Sequence, residues 1–298
     1  MTLTTRTYQP GDEVLEFSFD QQVAGTWPWP MCYTEEALAR AIAGPSFDPN
    51  QHIYAFDGDQ MVGKAEIWDR QSSSEGPKTA YVLFPRTLPG FESAVEPLFE
   101  HLMRILHERK FGRLQMPGST AWPGSIEWLQ SHGFSADPDQ PRGFKKYLSY
   151  DLSKGPTTVS TDNVVELDLT RDRDDIAHAA SVWMKCSHES AIGQVEQLLR
   201  DYDTIAHIGV RENGEITAAA QVAKNWYRPS TAALFYAYAR NARALRQLAA
   251  GAIDACIRAD GRNLLVDVIG AHLCFEPTYL DLGFVEVANH AVFEKAIG

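Results

Sequence analysis

The feature that most restricts what this 298-residue chain can fold into is that it repeats itself. The segment HIYAFDGDQMVGKAEIW (52–68) is similar to HIGVRENGEITAAAQVA (207–223). Each has a β-like run, a turn (Asp57-Gly58-Asp59 or Glu212-Asn213-Gly214) and a second alternating run. Met61, Gly63, Ala65 and Ile67 share one face of the first copy, and Ile216, Ala218, Ala220 and Val222 one face of the second. The period and the turn residues predict an antiparallel hairpin in each half.

A strand follows in each half, AYVLFPR (80–86) and AALFYAYAR (232–240), and both end in arginine. Beyond the arginine the apolar period changes from two to about 3.6. Val95, Leu98, Phe99, Leu102, Met103 and Leu106 make one helical stripe; Leu245, Leu248, Ala249, Ala252, Ile253, Cys256 and Ile257 make the other. Each helix stops near a glycine (Gly112, Gly261), a strand follows, and a short helical segment then ends in Gly-Phe at 133–134 and 283–284. Each half is read as closing with its own last strand, FKKYLSYDL and HAVFEKAI. His52 to His207 is 155 residues, Arg86 to Arg240 is 154, Gly112 to Gly261 is 149 and Gly133 to Gly283 is 150. A nearly constant offset with one step of about five residues means two similar folds, one with a longer loop. The stretch DLSKGPTTVSTD (151–162) lacks aliphatic periodicity and reads as the joint. The reading is an α/β chain of the α+β kind, with two tandem domains at 1–153 and 162–298, each a mixed, mostly antiparallel sheet flanked by helices.

The order of elements in each copy resembles the GCN5-related N-acetyltransferase (GNAT) fold, occurring twice. The best local match is Tyr279-Leu280-Asp281-Leu282-Gly283-Phe284, similar to the family's Tyr-x-x-x-Gly-Phe segment. The resemblance implies acetyl-CoA as co-substrate, held by a loop of pattern (Gln/Arg)-x-x-Gly-x-(Gly/Ala) at the start of the long helix, and Tyr279 as general acid. It also implies that a tandem member keeps one active lobe and one degenerate lobe. Physically, a helix N-terminus offers free N–H groups and a positive dipole end to a pyrophosphate. Both copies depart from the loop pattern. Arg240-Asn241-Ala242-Arg243-Ala244-Leu245 puts Arg243 and Leu245 at the glycine positions, and Arg86-Thr87-Leu88-Pro89-Gly90-Phe91 keeps one displaced glycine.

Charge chooses between the copies. The first helix opens with Glu92 and Glu96, which satisfy the dipole and repel a pyrophosphate. The second has Arg240, Arg243 and Arg246, suited to phosphate oxygens. Four residues before Gly283 stands Tyr279; four before Gly133 stands Leu129, which has no proton to give. The first domain is therefore expected to be degenerate and the second to take the cofactor, through Tyr238, Ala239, Arg240, Asn241, Ala242, Arg243, Ala244 and His272. The backbone N–H near Tyr238 or Ala239 would polarise the thioester oxygen, and Tyr279 would protonate the departing thiolate. His272 stands where many relatives carry an asparagine that contacts the cofactor; a loop histidine capping a helix is the other reading. Asp267 and Glu189 are candidate bases, each more readily read as a solvated or capping carboxylate, with a water relay as the other route; the sequence leaves the base unassigned. Trp27-Pro28-Trp29-Pro30 and Trp226-Tyr227-Arg228-Pro229 could stack on a substrate or fill an interface.

The function classes this excludes come from composition. Net charge is −12, with 14 basic and 20 acidic residues in 1–155 and 13 and 19 in the rest, so neither half is a nucleic-acid module. A small amine suits that field as acceptor. No apolar run reaches membrane-spanning length, and MTLTTRTYQP resembles no signal peptide, so a cytoplasmic protein without membrane partner is expected. Cys32, Cys186, Cys256 and Cys274 show no CxxC spacing, Cys186 and His188 do not face one another on a helix, and no HExxH is present; no metal is expected. The sequence leaves the oligomeric state unknown. The alternative to an acetyltransferase is a non-catalytic protein of the same fold that binds acyl-CoA or another small ligand, or scaffolds.

Overall fold

The computed structural model describes residues 3–24, 35–45, 47–70, 77–122, 124–136, 145–184, 187–193, 203–225 and 228–297. It is a mixed α/β structure that divides into two compact units, one built on Leu38–Phe144 with Met1–Pro28 and Asn289–Gly298, the other on Lys145–Ala288 with Trp29–Ala37.

In the first unit the strands are β1 (Leu3–Thr7), β2 (His52–Asp57), β3 (Gln60–Arg70), β4 (Thr79–Val82), β5 (Arg86–Thr87) and β6 (Arg113–Ser119). The helices up to this point in the chain are α1 (Asp12–Ala24), α2 (Glu35–Ile42), α3 (Val95–Glu108) and α4 (Ser125–Ser131). β1, β2, β3 and β4 pair antiparallel in that order, β4 pairs parallel with β6, and β5 adds to β3. The stripe read from the sequence is the face α3 buries: Leu98, Phe99, Leu102 and Leu106 are buried in one cluster with Ile53, Ala65, Ile67, Leu114 and Met116. Each such side chain contributes about 1.5–3 kcal/mol on burial.

The second unit holds β7 (Lys145–Asp151), β8 (Val164–Glu166), α5 (Arg173–Met184), β9 (Thr204–Glu212), β10 (Glu215–Asn225) and β11 (Arg228–Ala239). There follow α6 (Ala242–Arg258), β12 (Asn263–Ile269), a 3-10 segment Gly270–Phe275 and α7 (Glu276–Asp281). β8, β9, β10 and β11 pair antiparallel in order, and β11 pairs parallel with β12. Leu245, Leu248, Ala249, Ala252, Ile253 and Cys256 of α6 cluster with Ala218, Ala220, Val222, Leu234, Val266 and Val268. The repeated Gly-Phe has one cause in both halves: Gly133 and Gly283 take φ of +78° and +95°, the left-handed conformation that ends a helix, and the phenylalanine after each is buried.

The linear division at 1–153 and 162–298 is redrawn at the closing strands. β7, read as the end of the first half, pairs antiparallel with β12 from Asn263↔Asp151 to Ile269↔Lys145. The last strand, β13 (Val285–Ala296), pairs with β6 from His290↔Ser119 to Ala296↔Arg113. Each half thus closes on the other half's strand. The physical reason is that both closing runs have the same apolar alternation, which identifies a strand and its buried face but not its partner.

Candidate functional site

The candidate site begins where β11 and β12 part. Their parallel pairing runs from Thr231↔Asn263 to Leu234↔Val266, whereas β11 continues to Ala239 and β12 to Ile269. Beyond Leu234 no pair joins the two strands among the described residues. Arg240 N–H donates to the Thr217 carbonyl at 2.8 Å, on the β10 side. Strand alternation therefore turns the N–H of Ala239 away from β10, toward the side on which β12 has parted. Tyr238 is buried and spends its hydroxyl on the Ile176 carbonyl at 3.0 Å. Of the two backbone donors considered from sequence, Ala239 is the one so placed.

α6 starts directly after this strand. Asn241, in extended conformation, is its N-cap, and its side-chain oxygen accepts from Ala244 N–H at 2.9 Å. Leu245 N–H donates to the Asn241 carbonyl. The N–H groups of Ala242 and Arg243 have no acceptor among the described residues, as expected for the first turn. The arginines are not an open cradle, as the sequence had suggested. Arg240 pairs with Glu215 at 3.1 Å, Arg243 lies 3.9 Å from Glu212, and Arg246 pairs with Asp281 at 2.7 Å. Glu212 and Glu215 flank the β9–β10 turn, which strand pairing brings alongside the end of β11. These pairs are solvent-exposed, the arginine side chains 61%, 77% and 47% accessible, so each is worth only about 0–1 kcal/mol and can be exchanged.

The Arg246–Asp281 pair also reaches from the first turns of α6 to α7. Tyr279, two residues before Asp281, is 3% exposed and packs edge-on against Phe284 at 5.2 Å. Its hydroxyl has no hydrogen-bond partner among the described residues. Burial, and secondarily the charge of Asp267, push its pKa up, so the phenol keeps its proton at neutral pH. Asp267 stands on β12 one residue past the last pair with β11. Its carboxyl is raised by burial, which outweighs the cation of Lys145, 3.8 Å away. The opposite closing strand is thus part of the site.

Other residues singled out from sequence are not gathered here. Glu189 and His188 are exposed on the helical stretch 188–193. His272 lies in the 3-10 segment Gly270–Phe275, but its side chain is outside the described residues. Trp27-Pro28-Trp29-Pro30, Trp226-Tyr227 and Cys186 also lie outside them.

The first unit is built differently at the matching places. Leu129 is fully buried. Glu92 accepts from Gly90 N–H at 2.9 Å, a bond that holds its carboxyl below the usual range. Arg86 points inward, 4% exposed, 3.1 Å from Asp20 and 4.0 Å from Glu66. It joins a buried network that sequence reasoning missed. Lys64, 2% exposed, binds Glu16, lies 3.0 Å from both Asp20 and Glu66, and shares Glu16 with the Tyr54 hydroxyl. Burial opposes the Lys64 charge, but the three carboxylates outweigh it and raise its pKa. Burial likewise penalises the Glu66 carboxylate, yet Lys64, Arg86 and His52 bring its pKa down to about 2. Ligand atoms of Glu16, His52 and Glu66 lie within 4.8 Å of one another, and the cation that Glu16 and Glu66 share is the Lys64 ammonium. The available signal was the repeat: the second copy has Ala219 where the first has Lys64, a change no solvent-facing site requires.

Comparison with known proteins supports this architecture. No family profile matches the sequence, and no curated protein does. Among solved structures, a GCN5-related N-acetyltransferase from Sphaerobacter thermophilus aligns with a TM-score of 0.64 at 12% identity, over 99% of this chain and 96% of that one. A tandem GNAT protein from the clavulanic acid biosynthesis pathway aligns with a TM-score of 0.70 at 13% identity, over 100% and 99%. Saccharomyces cerevisiae N-myristoyltransferase, solved with bound myristoyl-CoA, aligns at 0.59 and 11%, over 99% and 79%. At these identities the likeness is one of fold: the chain has the GNAT fold. More particularly, it has the tandem form of that fold along its whole length.

Proposed function

We propose that the chain is an acyl-CoA-dependent N-acyltransferase that moves an acetyl group from acetyl-CoA to a small amine, with cofactor and chemistry in the second unit. One observation supports this reading: β11 and β12 stop pairing at Leu234 and Val266, ahead of the open first turn of α6, and α7, tied to α6 by Arg246–Asp281, carries a buried phenol, Tyr279. The N–H groups of Ala242 and Arg243 would meet the pyrophosphate, and Arg240, Arg243 and Arg246 would exchange their exposed carboxylate partners for phosphate oxygens. The pantetheine arm would run in where β11 and β12 stop pairing. The Ala239 N–H would polarise the thioester carbonyl, and Tyr279 would give its proton to the leaving thiolate. Such a role needs a phenol protonated at working pH, which burial provides.

The first unit would be structural. Its Arg86 is committed to buried carboxylates, its helix start is met by Glu92, and Leu129 has no proton to transfer. Among the described residues no helix is long and apolar enough to cross a membrane.

A second reading has its own observation. Arginines already matched by Glu215, Glu212 and Asp281 fit a protein of this fold that binds an acyl-CoA, or another ligand, without turnover. The test is melting with and without acetyl-CoA, followed by thiol release over a panel of amines. Saturation at a hundred times Kd stabilises by about 2.7 kcal/mol. Binding with turnover that falls about 10²–10⁴-fold in Tyr279→Phe, the melting shift kept, is the expected result. Binding without thiol release from any amine would establish the second reading, and no shift at all would refute both.

A further inference from the structure

The exchanged strand β7 brings a cation to a carboxylate that neither half, taken linearly, places in a site. Asp267 is about a quarter exposed, on the side of β12 opposite Val266 and Val268, which pack with α6. The groups around it can be named element by element. From β7, Lys145 Nζ lies 3.8 Å from Asp267 Oδ2, and Tyr147 stands directly opposite in register. Lys146, on the other face of β7, is taken by Glu276 at 2.7 Å and Glu286 at 3.1 Å. From α7, Tyr279 is buried in the cluster that holds Val266 and Val268, and the Asp267 charge helps to raise its pKa. From β11, the Tyr238 hydroxyl is directed onto α5. Asp267 is thus a partly exposed carboxylate just past the last β11 pair, with the Lys145 cation nearby and its charge felt by the Tyr279 phenol.

We propose that Asp267 is the proton acceptor for the incoming amine, and that Lys145 is a positioning residue that keeps it ionised. The inference rests on the acyltransfer reading above and names its missing base. The acceptor arrives as an ammonium and gives one proton to the Asp267 carboxylate. The freed nitrogen lone pair forms the C–N bond at the thioester carbonyl, and the C–S electron pair leaves with sulfur. Tyr279 gives its proton to that sulfur, and the second amine proton restores the phenol. Asp267 then releases its proton to water, so one amide, one thiol and one proton are formed. A carboxyl raised by burial suits the role, since a base works best with a pKa nearer the working pH than that of a solvated aspartate.

The experiment is the pH dependence of kcat/KM for thiol release from acetyl-CoA, with an amine taken from a panel of spermidine, glucosamine, lysine and glycine. Wild type is compared with Asp267→Asn and Lys145→Met. Asp267→Asn is expected to lower kcat/KM about 10²–10⁴-fold and to abolish the rise on the acid side, while the melting shift with acetyl-CoA stays. Lys145→Met, at a side chain about a third exposed, is expected to move the acid limb to higher pH, because losing a nearby cation disfavours the carboxylate. A structural role for either residue would lower the rate at every pH without moving the limb. An unmoved limb in Lys145→Met, or a retained limb in Asp267→Asn, overturns the inference and leaves the acyltransfer reading standing. Wild type that binds no acetyl-CoA or releases no thiol overturns both.

Discussion

The same two positions on the same strand of the repeat hold opposite solutions to burial. On β3 the face toward α1 carries Lys64 and Glu66; on β10 the matching positions carry Ala219 and Gln221, in the same register, with His52 opposite Glu66 and His207 opposite Gln221. The helices answer in kind. α1 presents Glu16 and Asp20, whereas α5, counted alike from the buried aspartates Asp12 and Asp172, presents Ile176 and Ala180. One unit closes this layer with ions and the other with apolar packing that includes Ala177, Ala219 and Tyr238. The difference teaches that the arginines aligned by sequence are not structural counterparts. Arg86 stands opposite Lys64, where the second unit has Tyr238 opposite Ala219; Arg240 N–H meets the Thr217 carbonyl, where the first unit has Leu88 on Val62. The charged layer of one unit thus takes in Arg86 at the place where the other buries Tyr238, and Arg240 stays at the surface.

The largest effect that could break this comparison is on stability. Lys64→Met leaves Glu16, Asp20 and Glu66 short of a cation and is expected to cost about 3–5 kcal/mol, read from urea unfolding. A cost below 1 kcal/mol would mean the network contributes little. Acid should separate the units next. The Glu66 pKa is depressed to about 2, so its contribution is complete above the ordinary carboxylate range and is lost as pH falls from there toward 2. Asp267 is raised, so its penalty appears as pH rises through its folded value and is absent in acid. Peptide-resolved hydrogen exchange, corrected for intrinsic rate, should show β3 losing protection between about pH 4.5 and pH 2. Unchanged β3 protection over that window would contradict the assignment. The smallest effect is local: Asn241→Ala removes the α6 cap and should cost about 0.5–2 kcal/mol in thermal melting.

Much of the fold could be read from the chain because each landmark has a local cause. The α3 and α6 stripes are the buried faces, the hairpin turns fall at Gly58 and at Asn213-Gly214, and Gly-Phe marks a left-handed helix end with a buried ring. What escaped was whatever depends on a distant partner. Tyr147, Leu148 and Tyr150 announce a half-buried strand, but nothing in them names β12. Charge reads as solvent until its partners are known, and Lys64 meets Glu16 and Asp20 across more than forty residues. In the candidate site, the start of α6 was legible from the change of apolar period, whereas Tyr279 was singled out by the resemblance of residues 279–284 to a family segment. The pairing of Asp267 with Lys145 was not legible, since it exists only through the strand exchange.

The central claim is that the second unit alone takes the nucleotide-linked thioester, and isothermal titration calorimetry with acetyl-CoA tests it most directly. The account predicts one site per chain, lost in Arg240→Glu with Arg243→Glu and kept in Glu92→Gln. No binding heat, two sites per chain, or binding that survives the double arginine exchange would contradict it.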